Sequence, residues 1–98
     1  MKIIVLGAGK VGSNIAKNLS VQSYDICVVD KAVSKLKKLQ SEYDLAIVSG
    51  HASHPDVLKK AGIDSDTILI SVTNDDEVNI VACQIAKQIF DVKKTICR

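Results

Sequence analysis

The chain has 98 residues, which allows one domain. Hydrophobic residues make up 47% and charged residues 24%, the balance of an ordinary globular protein. A net charge of +2 gives no reason to expect a nucleic-acid partner, and no stretch approaches the ~20 apolar residues of a membrane span, so no direct membrane insertion is expected.

In chain order, short apolar runs alternate with amphipathic stretches. Lys2 leads straight into Ile3 to Leu6, a run too short for a signal-peptide core; closed by Gly7, it has the pattern of a strand buried on both faces. Val11, Ile15, Ala16 and Leu19 then recur at helical spacing. Ile26 to Val29 predicts a second strand, and Val33, Leu36 and Leu39 the stripe of a second helix. Leu45 to Val48 predicts a third, shorter strand. Pro55 fits the first turn of a third helix, with Val57, Leu58 and Ala61 inward and Gly62 as its C-terminal cap. Ile68 to Val72 is a fourth strand. The longest helix follows, with Val78, Val81, Ala82, Ile85, Ala86 and Ile89 inward, and Thr95 to Cys97 predicts a fifth strand. Lys31, Lys35, Lys37 and Lys38 read as one solvated helix face. Cys27, Cys83 and Cys97 share no metal-ligand spacing and read as small buried hydrophobes in a reducing compartment, so the chain is expected to be cytoplasmic.

Strand-helix alternation with right-handed crossovers gives an α/β fold, a Rossmann-like doubly wound parallel sheet of about five strands with helices on both faces. Residues 1–98 are expected to form one domain of this kind. A stop directly after a strand leads us to expect that it is a piece of a longer chain.

Gly7-Ala8-Gly9-Lys10-Val11-Gly12 is a G-x-G-x-x-G motif, placed after an apolar strand and opening a helix. Gly7 permits the tight turn, Gly9 lets the backbone approach a pyrophosphate, and Gly12 lets the helix pack closely on the sheet. The first helical turn offers unpaired N–H groups and partial positive charge to phosphates. Asp30, 18 positions after Gly12, ends the second strand, where a carboxylate accepts from ribose hydroxyls and repels a 2′-phosphate. That favours NAD, as NAD+ or NADH, over the phosphorylated coenzyme. Ser49 to His54 occupies the loop after the third strand, where His51 is expected to shape the adenine pocket; a metal site from His51 and His54 lacks a third ligand at matching spacing. Thr73 and Asn74 follow the fourth strand and face the cleft centre. Asn74 with Glu77 also makes a capping-box pattern, and Asp75 and Asp76 suit the helix dipole.

With these residues placed, the whole chain resembles the N-terminal RCK/KTN (TrkA-N) domains of bacterial Trk potassium-uptake regulatory subunits. The likeness is carried by Lys2 to Gly9, Val28-Val29-Asp30, Gly50 to Pro55, Ala61-Gly62 and Val72 to Asn79. It implies cofactor contacts from Gly7, Ala8, Gly9, Lys10 and Val11, Asp30 on the ribose, Thr73 and Asn74 at the cleft, and Arg98 just after the fifth strand. It also implies a cytoplasmic homo-oligomer, peripheral at the inner face of the membrane, that transmits its nucleotide-dependent conformation to a Trk-type potassium channel or transporter subunit, with no catalysis. The family often has Asp where this chain has His51. Two rival functions use the same motif. One is the cofactor domain of an NAD-dependent oxidoreductase, which needs an acid or base beside the nicotinamide that neither histidine supplies. The other is an ADP or ATP sensor.

Overall fold

The apolar runs become five parallel strands, β1 (Lys2–Leu6), β2 (Asp25–Asp30), β3 (Ala46–Ser49), β4 (Ile68–Ser71) and β5 (Lys94–Cys97), in a computed structural model that describes all residues from Met1 to Arg98. Between them lie α1 (Lys10–Ser20), α2 (Val33–Glu42), α3 (Pro55–Lys60) and α4 (Asp76–Phe90). The sheet order is β3-β2-β1-β4-β5, so the chain winds outward from β1 in both directions. This is the doubly wound architecture expected from the alternation.

Two apolar clusters cover the two faces of the sheet. Ile4 and Leu6 of β1 pack with Leu58 and Ala61 beside α3 and with Ala82 and Ala86 of α4. Their strand neighbours Ile3 and Val5 point the other way, onto Ala16 of α1 and Leu36 and Leu39 of α2. A strand buried on both sides has no polar face to show, which is why β1 reads as an unbroken apolar run.

Pro55 is at the first position of α3, as its lack of an N–H suggests. Gly62 takes φ +84 just beyond the helix. There its N–H bonds Lys59 O at 2.9 Å while Ile63 N–H bonds Leu58 O at 3.2 Å, a Schellman ending that favours glycine.

Several expectations shift. The buried stripe of α4 is Asn79, Ala82, Cys83 and Ala86, whereas Val81 is 41% and Ile89 59% exposed. On α1 the buried residues are Gly12 and Ala16, with Val11 42% exposed, and Val33 of α2 is also exposed. On α1 and α4 small side chains bring the helix close to the sheet, so the contact line follows them rather than the bulkiest residues, whereas α2 packs through Leu36 and Leu39. Cys27 and Cys83 are buried, but Cys97, on the edge strand, is exposed. No helix is long and apolar enough to cross a membrane.

Candidate functional site

The carboxyl ends of the strands form one edge, and the parallel ladder runs one bond past β1, β3, β4 and β5. Gly7 N–H bonds Val29 O at 2.7 Å, Gly50 N–H bonds Asp30 O at 3.0 Å, Val72 N–H bonds Leu6 O at 2.9 Å and Arg98 N–H bonds Ser71 O at 3.0 Å. The loops that follow start from fixed positions. The chain winds in opposite directions from β1 and β4, and where it does so a crevice opens beyond the strand ends.

The glycine motif lies at that crevice, and its three glycines meet three different constraints. Gly7 has φ +111, and a Cβ there would lie 2.9 Å from Val72 O. A Cβ on Gly12 would collide with Gly7 O and lie 2.8 Å from Gly7 C, so α1 crosses its own entering turn at backbone contact. Around Gly9 there is nothing within 4 Å. Its side faces open space, as a backbone must if a ligand is to approach it.

Gly9 is the N-cap of α1 and supplies no capping side chain, and the first turn holds no acidic residue. The leading N–H groups of a helix have no partner within it. This helix end is therefore free to receive an anion. The N-terminus of α4 at the same edge is already satisfied. Asp75 caps it, accepting from Glu77 N–H at 2.9 Å and Val78 N–H at 3.2 Å. The cap is thus Asp75 rather than Asn74 as the capping-box pattern suggested. A carboxylate one position later reaches two amides, and helical backbone begins only at Asp76.

Asp30 stands beside the glycine turn. Its Oδ2 accepts from Ala8 N–H at 2.7 Å and its Oδ1 from Ala32 N–H at 2.8 Å. These bonds fix the carboxylate at the mouth of the cleft, and each oxygen retains acceptor capacity for a ligand hydroxyl.

The cleft encloses about 270 Å³ and brings together Gly7, Gly9, Asp30, His51, Thr73 and Asn74 from the carboxyl ends of four strands. Ala8 and Lys10 face a neighbouring hollow instead, Gly12 is buried beneath the turn, and Val11 lines neither hollow. Arg98 reaches the same sheet edge through its backbone, beyond β4, but its side chain is not part of the cleft wall. His51 Nδ1 lies 2.8 Å from Ser53 Oγ, and its ring stacks on His54 with centroids 4.6 Å apart. No group of three His, Cys, Asp or Glu side chains is placed to share a metal ion.

Two features escaped the sequence. Lys31 and Lys35 line the cleft beside Asp30, although both read as part of a solvated helix face. The second is Asn79, fully buried on α4. Its Oδ1 accepts from Thr73 N–H at 2.9 Å and Ser71 Oγ–H at 3.0 Å, and its Nδ2 donates to Thr73 O at 3.1 Å. Asn79 thus holds the loop carrying Thr73 and Asn74 against the sheet. The available signal was a lone amide in register with Ala82, Cys83 and Ala86, a pattern that asks what the amide bonds to.

Residues 3–98 match the sequence model of the TrkA-N domain. The chain is 49% identical over its full length to the Trk system potassium uptake protein TrkA of Vibrio alginolyticus and 45% identical to that of Halomonas elongata. A TrkA homolog of Archaeoglobus fulgidus is 34% identical over 91% of the chain. The chain spans 21%, about one fifth, of the length of the two bacterial relatives. Among solved structures, the AMP-bound C-terminal domain of Shewanella denitrificans Kef superposes with a TM-score of 0.79 at 21% identity, covering 97% of this chain and 57% of that one. The anaerobilin reductase ChuY of Escherichia coli O157:H7 gives 0.77 at 17% identity, over 97% of this chain and 48% of its own. Those two likenesses concern the fold. The family follows from the full-length sequence match together with a glycine turn, an acid at the end of β2 and a pinned loop after β4: this chain belongs to the TrkA-N domain family.

Proposed function

We propose that this chain is the NAD(H)-binding regulatory domain of a Trk-type potassium uptake system, one that changes conformation with its bound nucleotide and passes that change to a membrane transporter subunit. One observation carries the binding half: the uncapped N-terminus of α1 and the Asp30 carboxylate open into the same cleft. An anion acceptor and a diol acceptor side by side match a ribose joined to a diphosphate. The relatives are Trk system potassium uptake proteins, which supports the partner. Assembly of this chain as a homo-oligomer, peripheral at the inner face of the membrane, and regulation rather than catalysis belong to the same proposal.

Residue by residue, Gly7 and Gly9 with the α1 amides take the diphosphate, and Asp30 takes the ribose hydroxyls. His51 flanks the adenine, and Thr73 and Asn74 meet the ligand from the β4 side. Lys10, Val11 and Arg98 complete the set at its margins. Regulation then requires only that the bound nucleotide differ in affinity between two conformations of the assembly.

A mononucleotide sensor is the second reading, favoured by a cleft of about 270 Å³, just under the ~300–1,000 Å³ of typical small-molecule sites. Calorimetric titration with NAD+, NADH, NADPH, ADP and ATP separates the two. NADH is expected to bind more tightly than NADPH. Asp30→Ala is expected to weaken NADH binding by roughly 5- to 150-fold, the effect of losing charge-assisted hydrogen bonds. Unchanged affinity in that variant removes Asp30 from the ribose, and ADP or ATP binding above NADH replaces the coenzyme with a mononucleotide.

A further inference from the structure

A second hollow lies on the far side of the glycine turn, between α1 and α2, with a volume of about 380 Å³. Its walls are two helix faces of the same spacing. Lys10, Ser13, Asn14 and Lys17 on α1 stand at i, i+3, i+4 and i+7, and Lys35, Lys38, Leu39 and Glu42 repeat that spacing on α2. Residues so spaced share one side of a helix. The sequence alone reads Lys35 and Lys38 as part of a solvated face, the family resemblance implies a cofactor contact from Lys10, and Lys17 carries no assignment. The fold sets the four across a single groove.

Four ammonium groups therefore face one carboxylate, that of Glu42, in a chain whose whole net charge is +2. None of them is in an ion pair: the two salt bridges of the chain are Lys2–Asp25 at 3.5 Å and Lys93–Asp91 at 3.1 Å, both elsewhere. Like charges held together without counterions repel one another, and a bound polyanion relieves that repulsion while gaining charge-assisted hydrogen bonds. The groove is concave, walled by side chains from two helices and supplied with hydroxyl and amide groups by Ser13 and Asn14. That form suits a small molecule.

We propose that the groove between α1 and α2 is a second binding site, for a small anion bearing two or more phosphate charges, with Lys10, Lys17, Lys35 and Lys38 as its cationic walls. It is separate from the nucleotide cleft but adjoins it, because Gly9 and Lys35 line both hollows.

Inorganic pyrophosphate is the probe, titrated into the ¹⁵N-labelled chain in the presence of saturating NADH. Amide shifts are expected at Ser13 to Lys17 and Lys35 to Glu42. Pyrophosphate affinity is expected to fall about tenfold or more in a Lys17→Gln/Lys38→Gln variant through the loss of two charged donors, with NADH affinity unchanged. Lys59→Gln/Lys60→Gln on α3 removes the same charge elsewhere and is expected to leave pyrophosphate binding as it was. Equal weakening by the α3 variant overturns the proposal, as do shifts confined to Gly7 to Gly9 and Asp30, or no pyrophosphate binding at all. Repeating the titration without NADH leaves both hollows open: shifts at Ser13 to Lys17 and Lys35 to Glu42 still report the groove, and added shifts at Gly7 to Gly9 and Asp30 report the cleft, so failure of the nucleotide reading is told apart from failure of this one.

Discussion

Identical residues in one motif are held by different forces. Gly9 has open space where a side chain would go, and Gly12 has the backbone of Gly7. Gly9→Val is expected to melt within a degree or two of the parent, a shift below ~0.5 kcal/mol. It should nonetheless lose NADH binding, because the side chain occupies the diphosphate's place. Gly12→Ala is expected to destabilise the fold by about 1–3 kcal/mol through forced backbone displacement. Thermal melts paired with calorimetry separate the two outcomes. A Gly9→Val chain that binds normally removes the turn from the site. The sequence already assigned these roles, since strand, turn and helix are local. It could not assign Asn79, whose partners Ser71 and Thr73 lie on the preceding strand and loop and meet it only once α4 docks.

At the scale of elements, all nine were legible, because short apolar runs and period-3.6 stripes survive without tertiary knowledge. Which residue caps α4, and which face it buries, were not. Both depend on how closely a helix approaches the sheet, and that distance is set by Ala82, Cys83 and Ala86 rather than by the larger Val81 and Ile89. The cap makes a clean test. Asp75→Ala is expected to cost about 1 kcal/mol, with a range of roughly 0.5–2, by orphaning the Glu77 and Val78 amides. Asn74→Ala, one residue earlier and exposed, is expected to change stability by less than ~0.5 kcal/mol. Urea denaturation of both variants reads the difference, and the reverse order would return the cap to Asn74.

Across the whole molecule, stability depends on pH at the alkaline end through two thiols. Burial pushes Cys27 up to about 11, with Lys2 opposing and Asp25 adding slightly. Burial also pushes Cys83 up to about 11, with the neighbouring Cys97 reinforcing it. Both groups ionise more readily in the unfolded chain than in the folded one. Their contribution is fully present below pH 9 and is lost as pH rises from 9 towards 11. Unfolding free energy is therefore expected to fall over that window by up to ~1.4 kcal/mol per pH unit per thiol, and Cys27→Ala should flatten the slope. An unchanged slope would mean that Cys27 meets solvent in the native state.

One carboxylate also has a reach beyond its own cleft. Ala8 and Ala32 are the residues leading into α1 and α2, so Asp30 is the pin from which both helix starts are hung. In the proposed reading a coenzyme diol draws on those same oxygens, and so on the one side chain that joins the starts of the two lysine-bearing walls. Any influence of that binding on an anion in the groove would then have equal strength in both directions, by thermodynamic reciprocity.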